Sequence, residues 1–302
     1  MKRRVVLHGP STLTISLPTE WVKRHGIHKG DELEVEEAPD GLRISTSREP
    51  RPDRHVDIDL DNLSDDAIRS ILDVLHKSGY DDIRVKALDE HRLQLVCDSV
   101  AKRLIGFEVI EQGQKSCHIR ALATDDSQEF DHVLRRAFLV TTSMAKTTWS
   151  ALDSGDEGKV DEALRLEETN NRLTNFCHRL INKSATKDIH TQFLYVIVWL
   201  LESICDEYKF ILRLHGRGAR SPAGMKAAFD GAAALVESYY ALFYKYSDER
   251  MDELRTEVNA CRALILGCVK DDDDVLGAAR IHLMNVVRLI QDAIGSTTGL
   301  HH

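Results

Sequence analysis

Apolar residues follow three regimes along the chain. From about residue 126 to 297 they recur every three or four positions, the period of a helix with one buried face. The spacing predicts helices at 128–153, 156–184, 188–215, 222–246, 248–270 and 273–295. In the third of these, Phe193, Ile197, Leu200, Ile204, Tyr208 and Ile211 trace the core face. Breaks coincide with Ser154-Gly-Asp, Ala185-Thr-Lys-Asp, Gly216-Arg-Gly with Pro222, Ser247-Asp and the Asp271–Asp274 run, the last being an acidic start that suits a helix dipole. Short connections between long helices imply antiparallel neighbours, and six of them could pack as two three-helix units.

Between 55 and 122 the pattern alternates between types. His55–Leu60, Ile83–Leu88, Arg92–Cys97, Phe107–Glu111 and Cys117–Leu122 read as strands. Ser64 caps a helix over 65–77, with Ile68, Ile71, Leu72 and Leu75 at helical spacing and Gly79 ending it; a short helix is expected near Ser99–Leu104. This order predicts a small α+β layer serving as a spacer or dimerisation module. The first 46 residues read as strands Arg4–His8 and Leu13–Leu17 about a Gly9-Pro-Ser turn. A helix Glu20–His25 comes next, capped by Thr19 and stopped by Gly26, then strands Glu32–Glu36 and Leu42–Thr46 joined at Asp40-Gly41. So short a piece cannot build a self-sufficient core, so pairing with a second copy is expected. A charged linker with two prolines, Ser47–Arg54, separates it from the α+β segment.

Composition narrows the function classes. The chain has 302 residues, 42% hydrophobic and 29% charged, which excludes a disordered chain. Its longest apolar run, Phe193–Leu201, is well short of the ~20 residues that a bilayer span needs. No apolar h-region follows Met1-Lys-Arg-Arg. The six cysteines lack CxxC spacing and read as free thiols of a reducing compartment, so a cytoplasmic protein without membrane insertion is expected. Cys261 and Cys268 read as core thiols, His25 and His28 as surface residues, and Trp149, Trp199, Tyr239, Tyr240 and Tyr244 as bundle packing. There is no P-loop, GxSxG or HExxH motif, and a non-enzyme is expected.

Charge changes the picture. Against a net charge of −9, residues 1–30 hold Lys2, Arg3, Arg4, Lys23, Arg24 and Lys29 with only Glu20 opposing them. A basic tip on an acidic body points to nucleic-acid contact confined to that tip, with these six residues as candidate DNA contacts.

The stretch Gly9-Pro-Ser-Thr-Leu-Thr-Ile-Ser-Leu-Pro18, followed by Trp21-Val-Lys-Arg-His-Gly-Ile27, Lys29-Gly-Asp31 and Leu33-Glu-Val35, resembles the AbrB/MazE family of DNA-binding domains, with a first turn closer to the MazE form. The resemblance implies a swapped-hairpin β-barrel homodimer that binds DNA with basic residues of both subunits. Arg4, Lys23 and Arg24 fall on or near its basic positions, and Lys2 and Arg3 would reach phosphates.

In the helical part, Glu202-Ser-Ile-Cys-Asp206 sets two carboxylates on one helix face, where like charges repel unless a cation sits between them. Lys209 is one such cation and a metal ion is another. The flanking Leu200-Leu-Glu-Ser-Ile-Cys-Asp-Glu-Tyr208 is similar to the Glu-x-x-x-Asp motif of the PhoU family, and Leu166-Glu-Glu-Thr-Asn-Asn-Arg-Leu173 resembles its first motif, with Asn171 where Asp is usual. In the last helix Arg288 stands in the Glu position, four residues before Asp292. The resemblance implies a PhoU-like bundle with one divalent or ferric ion, or none, at Glu202, Asp206 and Glu167.

The expected fold class is therefore multidomain α+β. A swapped-hairpin, AbrB-like barrel (1–46) would precede a small α+β domain (55–122) and a PhoU-like all-α bundle (126–297). The combination looks like archaeal-type phosphate-uptake regulators. It implies a DNA-binding transcriptional regulator whose bundle senses a signal or docks on a partner. Two alternatives stand beside it: a protein-interaction regulator docking on a phosphate transporter ATPase or sensor kinase, and an antitoxin-like DNA-binding protein.

Overall fold

The computed structural model describes residues 2–38, 41–45, 54–86, 89–122, 129–184, 189–215, 224–268 and 274–302. The Ser47–Asp53 part of the expected linker, Pro222 and Asp271–Asp273 lie outside the described residues. The chain divides into two compact units, Met1–Asp53 and Arg54–His302.

In the first unit β1 (Val6–His8) pairs antiparallel with β2 (Thr12–Thr14), Val6 opposite Thr14. Gly9 at φ +72° turns the chain between them, a conformation that costs glycine nothing. Helix α1 (Thr19–Arg24) starts one residue earlier than expected, so Thr19 is not its cap. Pro18 holds that place at φ −63° and ψ 126°, and its carbonyl accepts the Val22 N–H at 2.9 Å; the ring presets the entry angle with no side-chain cap. Gly26, at φ +59°, ends the helix, and Ile27 N–H closes back on the Val22 carbonyl at 3.0 Å. Then β3 (Glu34–Ala38) and β4 (Gly41–Ser45) pair antiparallel. Within one chain the four strands thus form two separate two-stranded sheets and not a closed barrel.

In the second unit β5 (His55–Asp59), α2 (Asp65–Lys77), β6 (Asp82–Lys86), α3 (Glu90–Arg103), β7 (Phe107–Gln112) and β8 (Ser116–Ala121) build the α+β layer. Its sheet has the order β5-β6-β8-β7, with β5 parallel to β6 and the other pairs antiparallel. Ile68 and Leu72 of α2 and Leu93, Val96 and Val100 of α3 bury against Ile83, Val85 and Ile119 of the sheet. The strand expected at Arg92–Cys97 is wrong, because these residues lie inside α3. Leu93 and Leu95 mimic strand alternation locally, but Leu93, Val96 and Val100 keep helical spacing over the longer window. The Asp89 carboxylate also caps the first turn, accepting the Arg92 N–H at 2.8 Å. The short helix expected near 99–104 is the end of the same helix.

The remaining helices are α4 (Phe130–Ser154), α5 (Glu157–Lys183), α6 (Ile189–His215), α7 (Lys226–Tyr244), α8 (Asp248–Gly267) and α9 (Asp274–Gly299). Asp156 caps α5 through the Gly158 N–H at 2.8 Å, and Ser247 caps α8 through the Arg250 N–H at 3.2 Å. Helices α4, α5 and α6 pack on one another, as do α7, α8 and α9; the two triplets meet along α6 against α9 and α4 against α7. Ile197, Leu200, Ile204, Tyr208 and Ile211 are buried, as the periodicity predicts, while Phe193 is half-buried. Trp199 departs from its expected packing role: it lies off that stripe, beside Tyr195 and Val196, and is 52% exposed. Cys268 is likewise only partly buried, whereas Cys261 is in the core.

The layer and the bundle keep distinct cores, yet both belong to one compact unit. The seam between them is polar and buried. Arg179 of α5, fully buried, donates to the Tyr80 carbonyl at 2.6 Å and to that of His76 at 3.4 Å, and pairs with Asp81. Lys183 donates to the same Asp81 carboxylate at 2.6 Å, and Asn182 to the Lys77 carbonyl at 2.8 Å. The guanidinium also lies 4.7 Å over the Phe107 ring. The Lys77 carbonyl at the end of α2 is thus satisfied by α5.

Candidate nucleic-acid interface and carboxylate cluster

The six basic candidates all lie in the first unit and all are exposed. Lys2, Arg3 and Arg4 lie on the extended segment entering β1, Lys23 and Arg24 in the last turn of α1, and Lys29 in the Lys29-Gly30 turn. Among the described residues none of the six forms an ion pair, so their charge faces solvent. Lys23 and Arg24 also sit where the helix dipole favours cations, which gives them a structural role beside any binding role.

The apolar residues of the same unit complete the picture. Val5, Val6, Leu7, Leu13, Ile15, Val35 and Leu42 are between 49 and 69% exposed, and no described residue from Lys2 to Ile44 is buried. Two-stranded ribbons are marginal in water by themselves, and burying one such side chain yields about 1.5–3 kcal/mol. This unit has apolar surface enough to form a core, but its described residues form none within one chain.

The three candidate metal ligands sit in the second unit, each beside an ammonium group. Glu202 of α6 accepts from Lys77 of α2 at 3.4 Å. Lys209 pairs with Asp206 and also donates to Glu167 of α5 at 2.7 Å. Glu167 accepts from Asn171 as well, also at 2.7 Å. Burial pushes the Glu202 carboxyl above its ordinary range, with Asp206 adding to this, although Lys77 pulls it back. Burial works against the Lys209 charge, but its bonds to Asp206 and Glu167 outweigh that and hold its pKa above the usual lysine value. Lys209 therefore bridges Asp206 to Glu167, while Glu202 is held by Lys77, so no single cation sits between Glu202 and Asp206 among the described residues. Among the described residues no group of three or more His, Cys, Asp or Glu side chains is arranged to hold a metal ion.

The sequence pattern did not single out Lys77, Asp81, Arg179 or Lys183. Arg179 and Lys183 show there only as charges among the apolar residues of α5's last turns.

Residues 8–53 match the family described as antidote-toxin recognition MazE, bacterial antitoxin. The match covers the turn, α1 and both β3 and β4 and carries on through Asp53. It does not include Lys2, Arg3 and Arg4. No curated protein and no solved structure matches the chain. Among the described residues no helix is long and apolar enough to cross a membrane.

Proposed function

We propose that the chain is a non-catalytic, DNA-binding regulator that acts as a homodimer. The observation that carries this is the first unit's combination of exposed strand residues with six exposed, unpaired basic residues, three of which (Lys23, Arg24 and Lys29) lie in the segment that matches a MazE family. Two copies would bury Val6, Leu7, Leu13, Val35 and Leu42 against each other and so complete the barrel that the AbrB/MazE resemblance implies. Lys2, Arg3, Arg4, Lys23, Arg24 and Lys29 of both copies would then lie along the phosphate backbone, where each neutralised phosphate steepens the salt dependence. The acidic remainder of the chain would be held off DNA by its own negative charge.

The finer reading is regulation of phosphate uptake in the cytoplasm, with the helical part sensing a signal or docking on a transporter ATPase or sensor kinase. It rests on the Glu202-Ser-Ile-Cys-Asp206 similarity and on the order of the three segments. An antitoxin-like role is the second reading, favoured by the matched family itself.

Fluorescence anisotropy with DNA from upstream of the chain's own gene, at low and physiological salt, tests the proposal. Sequence-preferring binding that is lost in Lys23→Ala/Arg24→Ala supports it. Weak binding to any DNA, unchanged in the variant, refutes it.

A further inference from the structure

Helix α6 carries no charged residue from Thr191 to Leu201. Its inner residues Ile197, Val198, Leu200, Leu201 and Ile204 are buried in the bundle. On the opposite side Ile189, Tyr195, Val196, Trp199, Phe210 and Leu214 remain between 38 and 60% exposed. A helix that is apolar all round is ordinarily buried all round. Its neighbour α5 shows the usual alternative, with Glu157, Glu162, Arg165, Glu168 and Arg172 at exposed positions. Along the outer side of α6, Ile189, Gln192, Val196, Trp199 and Ser203 alternate steps of three and four, and Phe210 lies one heptad further on. That is the spacing of a seam on which a second helix lies.

The carboxylates bordering the seam are matched inside the chain. Glu202 is held by Lys77 at 3.4 Å, Asp206 by Lys209, and Glu207 by His282 at 2.6 Å and Asn285 at 3.2 Å. They therefore select no ionic partner, and the seam suits a surface as uncharged as itself. The exposed parts of its six apolar side chains come to roughly 600 Å², given that a whole aromatic side chain presents about 150–250 Å². A stable interface takes about 800 Å² from each partner. This face is thus too small to hold a dimer alone but large enough to close within one.

We propose that α6 packs antiparallel on α6 of a second copy, centred on Val196 and Trp199. A parallel pairing would set the two Asp206 carboxylates opposite each other, and the antiparallel one keeps them apart. The proposal rests on the homodimer reading above. Once the first units of two chains are joined, each second unit meets the other at an effective concentration on the order of millimolar, and the weak face closes.

Hydroxyl-radical footprinting of the full chain, read by mass spectrometry, tests this beside analytical ultracentrifugation. Trp199 and Tyr195 should be protected in the parent dimer and become severalfold more reactive in Leu7→Ser/Leu13→Ser. Ile189→Glu/Val196→Glu, at exposed positions, should keep the helical signal, expose Trp199 and raise the dimer Kd by about tenfold or more. Should that variant unfold, the footprint of the parent against Leu7→Ser/Leu13→Ser decides alone. A dimeric parent in which Trp199 is as reactive as in Leu7→Ser/Leu13→Ser overturns the proposal and leaves the first-unit pairing standing. A monomeric parent overturns both. If Leu7→Ser/Leu13→Ser stays dimeric with Trp199 protected, the α6 contact is upheld and the first-unit pairing falls. Protection of Trp199 that appears only with phosphatidylglycerol vesicles overturns the proposal in favour of a lipid surface.

Discussion

Arg179→Met tests whether the layer and the bundle are held together by a buried charge pair. Methionine keeps much of the apolar stem and removes only the guanidinium. The loss strands the Tyr80 carbonyl, which now accepts at 2.6 Å, and leaves Asp81 with Lys183 as its remaining cation. Removing one partner from a buried pair costs about 3–5 kcal/mol, here through the stranded carbonyl and a carboxylate left with one cation instead of two. In a unit of this size that corresponds to a fall of about 6–20 °C in unfolding temperature. Urea and thermal unfolding followed by circular dichroism would measure it. Asp81→Asn made alone and together with Arg179→Met closes a double-mutant cycle, in which a coupling of about 1–3 kcal/mol is expected for groups in direct contact.

The pH dependence of the same variant supplies an independent check. Burial pushes the Asp81 carboxyl up, but the Lys183 hydrogen bond and the charges of Arg179 and Lys183 outweigh it and hold the carboxyl below its usual range. With a folded value below the unfolded one of about 3.9, this group's contribution is complete above that pH and is lost as pH falls through the lower folded value. In Arg179→Met the folded value moves back up, so less stability should remain to be lost on acidification. A variant within about 1 kcal/mol of the parent, with a coupling near zero and an unchanged acid limb, would refute the reasoning.

Three further outcomes are expected from the geometry. Gly79→Ala should destabilise the second unit by about 1–3 kcal/mol in urea unfolding, because a methyl group at φ +81° is strained and would lie 2.7 Å from Lys183 Cγ. Lys209→Met should cost about 1–3 kcal/mol by leaving Glu167 and Asp206 without their shared cation, and Glu167→Gln added to it should recover part of the loss. Leu7→Ser/Leu13→Ser should make the chain monomeric in analytical ultracentrifugation while leaving its helical signal intact, since both residues lie in the first unit and are more than 60% exposed there.

Helical regions were legible in the sequence wherever one period ran for several turns. The six long helices lie within a few residues of their expected places because stripes such as Ile197, Leu200, Ile204 and Tyr208 meet one core. Segment 92–97 misled because six residues hold too little phase to separate periods of 2 and 3.6. The Asp89 cap, three residues upstream, carried the missing information. The N-terminal turns were legible from Gly9 and Gly26, whose positive φ angles fix the chain direction locally. A barrel was expected there only from the family resemblance, and within one chain the strands form two separate two-stranded sheets.

Candidate sites divide by the same physical distinction. The pairing of Lys209 with Asp206 was visible as a spacing of three on one helix. Glu167 entered from a family motif, but its contact with Lys209 spans 42 residues and depends on how α5 meets α6. Lys77 with Glu202, 125 residues apart, and Arg179 with Asp81, 98 apart, had no local signature. Each joins a helix of the layer, or the turn after it, to the bundle, so each exists only once two separately formed cores have docked. Such pairs carry little of the hydrophobic driving force and much of the orientation, because a guanidinium that must reach two carbonyls and a carboxylate admits a single docking register. The residues that fix how the parts of this unit meet are therefore those the one-dimensional pattern could least disclose.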